Sequence, residues 1–250
     1  MKHRFSGTSV FQFIRRDLIL HKATLVTGLL VALVLLFLFC WLNMLWDQQL
    51  ATSEFFGIFG LFYVPLGILF TFSLTKEFNN PKANHLFLVL PVSVFERLCA
   101  QWITTTVLYT AVFSILALAV GTLAIIMGII TFRADFNLLS LFSAPYWKVV
   151  QLYFIIQPVF LVGALTYSKN RIGKTALALG ILFLALLFFN FILYALFNHG
   201  YGIFKGESLG SDAFDLASAD FSLLGKWFYG LVFGPLMLVV AYLKMAEKEV

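Results

Sequence analysis

Long uninterrupted apolar runs dominate the chain, at residues 23–46, 55–75, 100–132, 149–167, 175–197 and 227–243. Within them apolar residues follow one another without a polar partner face, as in Phe37-Leu38-Phe39-Cys40-Trp41-Leu42 and in Ile181 to Phe189. A transmembrane barrel would alternate with period two. Unbroken runs of this length need the helix, which satisfies every backbone group within its own segment in a solvent that offers no hydrogen bonds. A hydrocarbon core about 30 Å thick takes about 20 residues of helix, so the pattern predicts about six transmembrane helices and an all-α polytopic membrane protein, with residues 1–250 forming one transmembrane domain. The run at 100–132 is too long for one crossing. It either projects from the membrane or breaks near Gly121 or Gly128.

Ahead of the first run, Val10 to Lys22 reads as an interfacial helix. Val10, Phe11, Ile14 and Leu18 fall on one arc, Gln12, Arg15 and Arg16 fall away from it, and Phe13 and Ile19 break the pattern. Residues 1–22 are therefore expected to form a cytoplasmic, membrane-surface element. No small-residue cleavage site follows a short apolar core, so a cleaved signal peptide is not expected.

Composition agrees with the pattern: 61% of the 250 residues are hydrophobic and 12% charged, against roughly half and a quarter in a soluble domain. Charge adds direction. With the N-terminus inside, thirteen of the seventeen Lys and Arg fall in cytoplasmic segments, and four (Arg133, Lys148, Lys205 and Lys226) fall outside. That imbalance predicts both termini in the cytoplasm. The net charge of +5 is thereby a matter of topology, spread over short connectors, and gives no stripe for nucleic acid. Cys40 lies in a span and Cys99 at a loop edge, which suggests neither a disulfide framework nor a metal cluster.

The six runs contain no Asp, Glu, Lys, Arg or His. Such residues mark ion paths and proton relays, and the strongest polar groups here are Gln151, Gln157, Asn190 and Thr104 to Thr106. Uncharged amides do not take up and release protons near neutral pH, so an energy source outside the chain is expected. Pro65, Pro158 and Pro235 lie within spans, either as ordinary membrane-helix prolines or as hinges. The 30 Phe read as lipid contact and helix packing rather than an aromatic cage. His199 with Asp212 or Asp215 has no metal or hydrolase spacing. Arg171 to Thr175 ends like a phosphate-binding loop, but Ser168 stands where the earlier glycine is needed, and no strand precedes it.

The connector at 76–98 is the most informative. Ser93 followed by Glu96 is a capping box, which predicts a helix starting at Ser93 and running into the third span. Pro91 separates it from a short amphipathic piece, Ala83 to Leu90. In Leu90-Pro91-Val92-Ser93 with Glu96, the loop resembles the permease subunits of ATP-binding cassette transporters of the type-two exporter family, which have six spans and a separate ATPase. The N-terminal interfacial elbow helix and the long outer connector at 198–225, with its interleaved glycines and aromatics, fit the same layout. Where the family often carries a lysine after the acidic position, this chain has Ala100, Gln101 and Trp102.

The resemblance implies a permease of the bacterial cytoplasmic (inner) membrane, paired with a second copy or a paralogue and surrounded by membrane lipid. Its 76–98 loop would sit in a groove of the ATPase subunit, with Lys82, His85, Leu90, Pro91, Ser93, Glu96 and Arg97 as coupling residues. The chain itself would carry no cofactor and no enzyme activity, ATP and Mg belonging to the partner. A membrane scaffold or assembly subunit without transport is the alternative reading. An intramembrane enzyme or a secondary transporter has less support in the spans.

Overall fold

The computed structural model describes residues 6–76, 78, 92–197 and 227–247, and the described residues are all-helical with no strand. The helices are α1 (Gly7–Leu20), α2 (Lys22–Asp47), α3 (Thr52–Leu74), α4 (Val94–Phe132), α5 (Ala144–Thr166), α6 (Arg171–Phe197) and α7 (Phe233–Ala246). Helices α2 to α6 are long and apolar enough to cross a membrane, and a shorter apolar helix, Gly230–Ala246, includes α7. The protein is thus a polytopic all-α membrane protein.

The connectors show an up-and-down bundle. At one end, the Asp135 amide donates to the Gln48 carbonyl at 3.0 Å, and the Asn137 amide group to the Leu50 carbonyl at 3.3 Å, joining the α2–α3 and α4–α5 turns. Gln48 and Arg133 end α2 and α4 in the left-handed region, with φ of 51° and 57°. At the opposite end, the Arg171 guanidinium at the start of α6 donates to the Thr75 carbonyl after α3 at 3.2 Å. There Val10 and Phe13 of α1 pack with Leu98 of α4, Leu165 of α5 and Met245 of α7.

Lipid tails are as apolar as leucine, so helices in a membrane associate through close packing and internal hydrogen bonds. Both are present between α3, α4 and α5. Phe59 stacks on Tyr63 at 4.9 Å between centroids, Tyr63 on Tyr109 at 5.3 Å, and Tyr153 tilts against Tyr63 at 4.8 Å. Their hydroxyls are spent inside the bundle: Tyr63 pairs with the Thr110 hydroxyl at 2.6 Å, and Tyr109 donates to the Tyr63 carbonyl at 2.7 Å. Phe55, Phe56, Phe59 and Phe113 are core residues, whereas Phe183, Phe188, Phe189 and Phe191 of α6 are exposed. The aromatic content thus serves packing and outward contact, as its distribution in the sequence suggests.

Helix α4 decides between the two readings of its length. It does not break at Gly121 or Gly128. Those positions lie inside continuous helix, where Phe55 and Met44 come so close that a Cβ would meet them at 2.5 and 2.6 Å. Unbroken over 39 residues, it is about 58 Å long at 1.5 Å per residue and must project beyond the hydrocarbon. Its irregularity lies elsewhere, in a π-helical segment at Ile103–Leu108.

The three prolines sit inside helices that continue past them. A proline leaves the carbonyl four residues earlier without its helical donor. For Pro158 that is the Phe154 carbonyl, which faces Gly234 on α7, 3.9 Å from where a Cβ would stand. Just before Pro235, the segment Phe228–Val232 is again π-helical.

Candidate functional site: the junction of the N-terminal helix with the third membrane span

Ser93 and Glu96 form the capping box that their spacing predicts. Ser93 is extended, with φ −67° and ψ 155°, and its Oγ accepts from the Glu96 amide at 3.3 Å. The Ser93 amide donates to Glu96 Oε2 at 2.9 Å, and the Ser93 hydroxyl to the same oxygen at 3.0 Å. A helix therefore starts at Val94 and runs without interruption into the third span.

The second carboxylate oxygen does something the spacing does not reveal. Glu96 Oε1 accepts from the Ser6 amide at 2.6 Å, and Ser6 is the N-cap of α1. One carboxylate thus satisfies free amides at the N-termini of two helices separated by 90 residues. A negative charge at two helix N-termini is favourable at both, because each exposes unpaired N–H groups and the positive end of its dipole. The site is interior: Glu96 is 4% exposed, Arg97 3% and Asp17 of α1 5%. Arg16 Nη1 lies 3.6 Å from Asp17 Oδ1 and the Arg16 guanidinium lies over the Phe13 ring.

Arg97, one of the expected coupling residues, is buried. Read as a coupling residue, it would offer its charge to a docked partner, but here it is enclosed by the chain itself. Its helical neighbours explain this, since Leu98 and Ala100 pack with α1, α5 and α7. Lys82, His85, Leu90 and Pro91, together with the 198–225 connector, lie outside the described residues. Of the possible hinges, Pro158 is buried and Pro65 and Pro235 are exposed. They lie in three different helices and form no common site with the junction.

The face of α1 is also corrected. Phe13, which breaks the sequence pattern, is 3% exposed, while Phe11 is 67% exposed. Val10, Phe13 and Asp17 make the buried stripe, because α1 packs on the start of α4. Asp17 had a legible signal, being the one acid between Arg15, Arg16 and Lys22. The bond from the Ser6 amide had none, since backbone donors leave no trace in a sequence.

Comparison with protein-family models and with curated proteins returns no match.

Proposed function

We propose that this chain is the transmembrane permease subunit of an ATP-binding cassette exporter. It would form the substrate path with a second copy or a paralogue in the bacterial cytoplasmic membrane, both termini facing the cytoplasm. ATP and Mg are bound by a separate ATPase subunit, whose movement reaches this chain through the 76–98 connector. The observation that carries the reading is the capped start of α4, where Glu96 ties Ser93 to Ser6. A push delivered to residues before Ser93 enters a rigid helix start and is shared at once with α1, so connector, elbow helix and the first turns of α4 respond as one piece. The absence of charged residues from the middle of the apolar runs supports an energy source in a partner.

Purification in mild detergent with identification of copurifying proteins tests this reading. A nucleotide-binding subunit is expected, and ATP-dependent transport in vesicles should survive collapse of proton and sodium gradients. In a Ser93→Ala, Glu96→Ala double variant the chain should still insert, with weaker ATPase association or ATP hydrolysis that no longer responds to substrate. Transport by the purified chain alone under an ion gradient would overturn the proposal. Copurification without transport would make the chain an assembly subunit.

A further inference from the structure

Helix α4 carries an uncharged polar layer about 12 Å above its capped start, at 1.5 Å per residue from Ser93 to Gln101. Gln101 is 1% exposed, and neither its amide oxygen nor its amide nitrogen has a hydrogen-bond partner in the protein. Gln157 of α5, fully buried, donates to the Thr105 hydroxyl at 2.6 Å, and its Oε1 is left unpaired. The Thr106 hydroxyl oxygen, also fully buried, is unpaired as well. The assignment of the Gln101 amide does not alter this picture, since both its atoms are open, and Gln157 is fixed with its nitrogen toward Thr105 because the Thr105 proton is already given to the Gln101 carbonyl.

The layer coincides with the π-segment Ile103–Leu108. Thr105 Oγ1 donates to the Gln101 carbonyl at 2.8 Å, so Gln101 and Thr105 occupy one helical face, with the Gln157 amide over the same turn. The Tyr153 hydroxyl donates to the Thr105 carbonyl at 2.7 Å. The wide turn is thus held from α5 on one side and presents open polar atoms beside it.

We propose that this layer is a hydration site, in which water bound by Gln101, Thr106 and Gln157 lines the π-segment inside the bundle. The open atoms include donors and acceptors, which suits water because it is both. A bare cation would face the amide N–H groups and the buried Arg97 one turn below. An anion would face amide oxygens. Water at a turn whose helical bonds are already stretched to the wider spacing makes that turn the soft point of α4. Below it, Val94–Trp102 is tied to α1 through Glu96; above it, Tyr109–Phe132 is packed against α2 and α3. The lower piece can therefore tilt while the upper stays in the core, whatever drives it, and the inference does not depend on the transporter reading.

Hydrogen exchange of the full chain in lipid nanodiscs, followed by mass spectrometry, tests this. Amides of 103–108 are expected to exchange about tenfold or more faster than those of 112–125, which lie deeper in the same helix. In a Gln101→Met, Gln157→Met double variant, which keeps shape and removes the amides, exchange at 103–108 should slow toward that of 112–125. Equal rates in the parent overturn the proposal, without reference to any variant. Fast exchange that persists in the double variant also overturns it, since the turn would then open without water held at those amides. Should the double variant not fold, Thr106→Val and the parent comparison decide by the same criteria.

Discussion

At residue scale the chain places its few charges and small residues where one atom decides several contacts. Glu96 accepts from two amides and a hydroxyl across two helix starts. Loss of an N-cap costs about 1 kcal/mol, whereas hydrogen bonds to charged groups are worth about 1.5–3 kcal/mol each. Glu96→Ala should therefore destabilise by about 3 kcal/mol and Ser93→Ala by about 1 kcal/mol. Thermal unfolding in detergent reads the order, and equal losses would mean that the Ser6 link contributes nothing. Gly67 is a second such point, for a Cβ there would stand 2.5 Å from the Tyr153 hydroxyl and 2.6 Å from its ring. Both belong to packed elements, so Gly67→Ala should cost about 1–3 kcal/mol by overpacking, and it should also loosen the Tyr153 bond to the Thr105 carbonyl. An unchanged melting temperature for this variant would show that α3 and α5 can separate freely at that level.

At element scale the helices differ in what holds them. Helix α3 buries Phe55, Phe56, Phe59 and Tyr63, while α6 is fixed, among the described residues, near its start. There Arg171 donates to the Thr75 carbonyl, and Thr175 lies against Gly163 so closely that any Cβ at 163 would collide with it. Thr175 is buried, but none of the most apolar 18-residue window within Arg171–Leu193 is. Phe59→Ala should accordingly cost about 3–5 kcal/mol, whereas Leu184→Ala, at a position 64% exposed, should stay within about 0.5 kcal/mol for the monomer in detergent. Thermal unfolding of the two variants side by side checks the contrast, and a loss at Leu184 close to that at Phe59 would mean that another chain packs on α6. This unevenness explains what the sequence could and could not reveal. Apolar length gave the helices, and Ser93 with Glu96 gave the start of α4, because length and capping are local. The π-segment was hidden, since Thr104 to Thr106 advertise polarity but not turn width. The buried stripe of α1 was misread at Phe11 and Phe13, since an interfacial helix that also packs on protein has two apolar sides and a single moment cannot separate them.

At the scale of the whole molecule, the two ends of the bundle are distinct, and the sign of their charge predicts which faces the cytoplasm. The α1 end gathers Arg15, Arg16, Lys22, Lys76, Arg97, Lys169, Arg171, Lys174 and Lys244, whereas the opposite end carries Asp47, Glu54 and Asp135 with Arg133 and Lys148. Lys and Arg are retained on the cytoplasmic side during insertion, so the α1 end should be inside. Gln49 and Ser168 are exposed in connectors at opposite ends, and the native thiols, Cys40 buried and Cys99 partly exposed, can be replaced by alanine to clear the background. A single cysteine at Gln49 should then react with a membrane-impermeant maleimide added to intact cells, and one at Ser168 only after the membrane is opened. A cysteine at Ser211 should behave as Gln49 does if α6 crosses the bilayer and returns through the Gly230–Ala246 helix. Labelling of Gln49 and Ser168 from the same side would refute the up-and-down arrangement. Labelling of Ser211 together with Ser168 would leave α2 to α5 as the membrane bundle and place α6 on its surface, contrary to its 18-residue window of mean hydropathy 2.7.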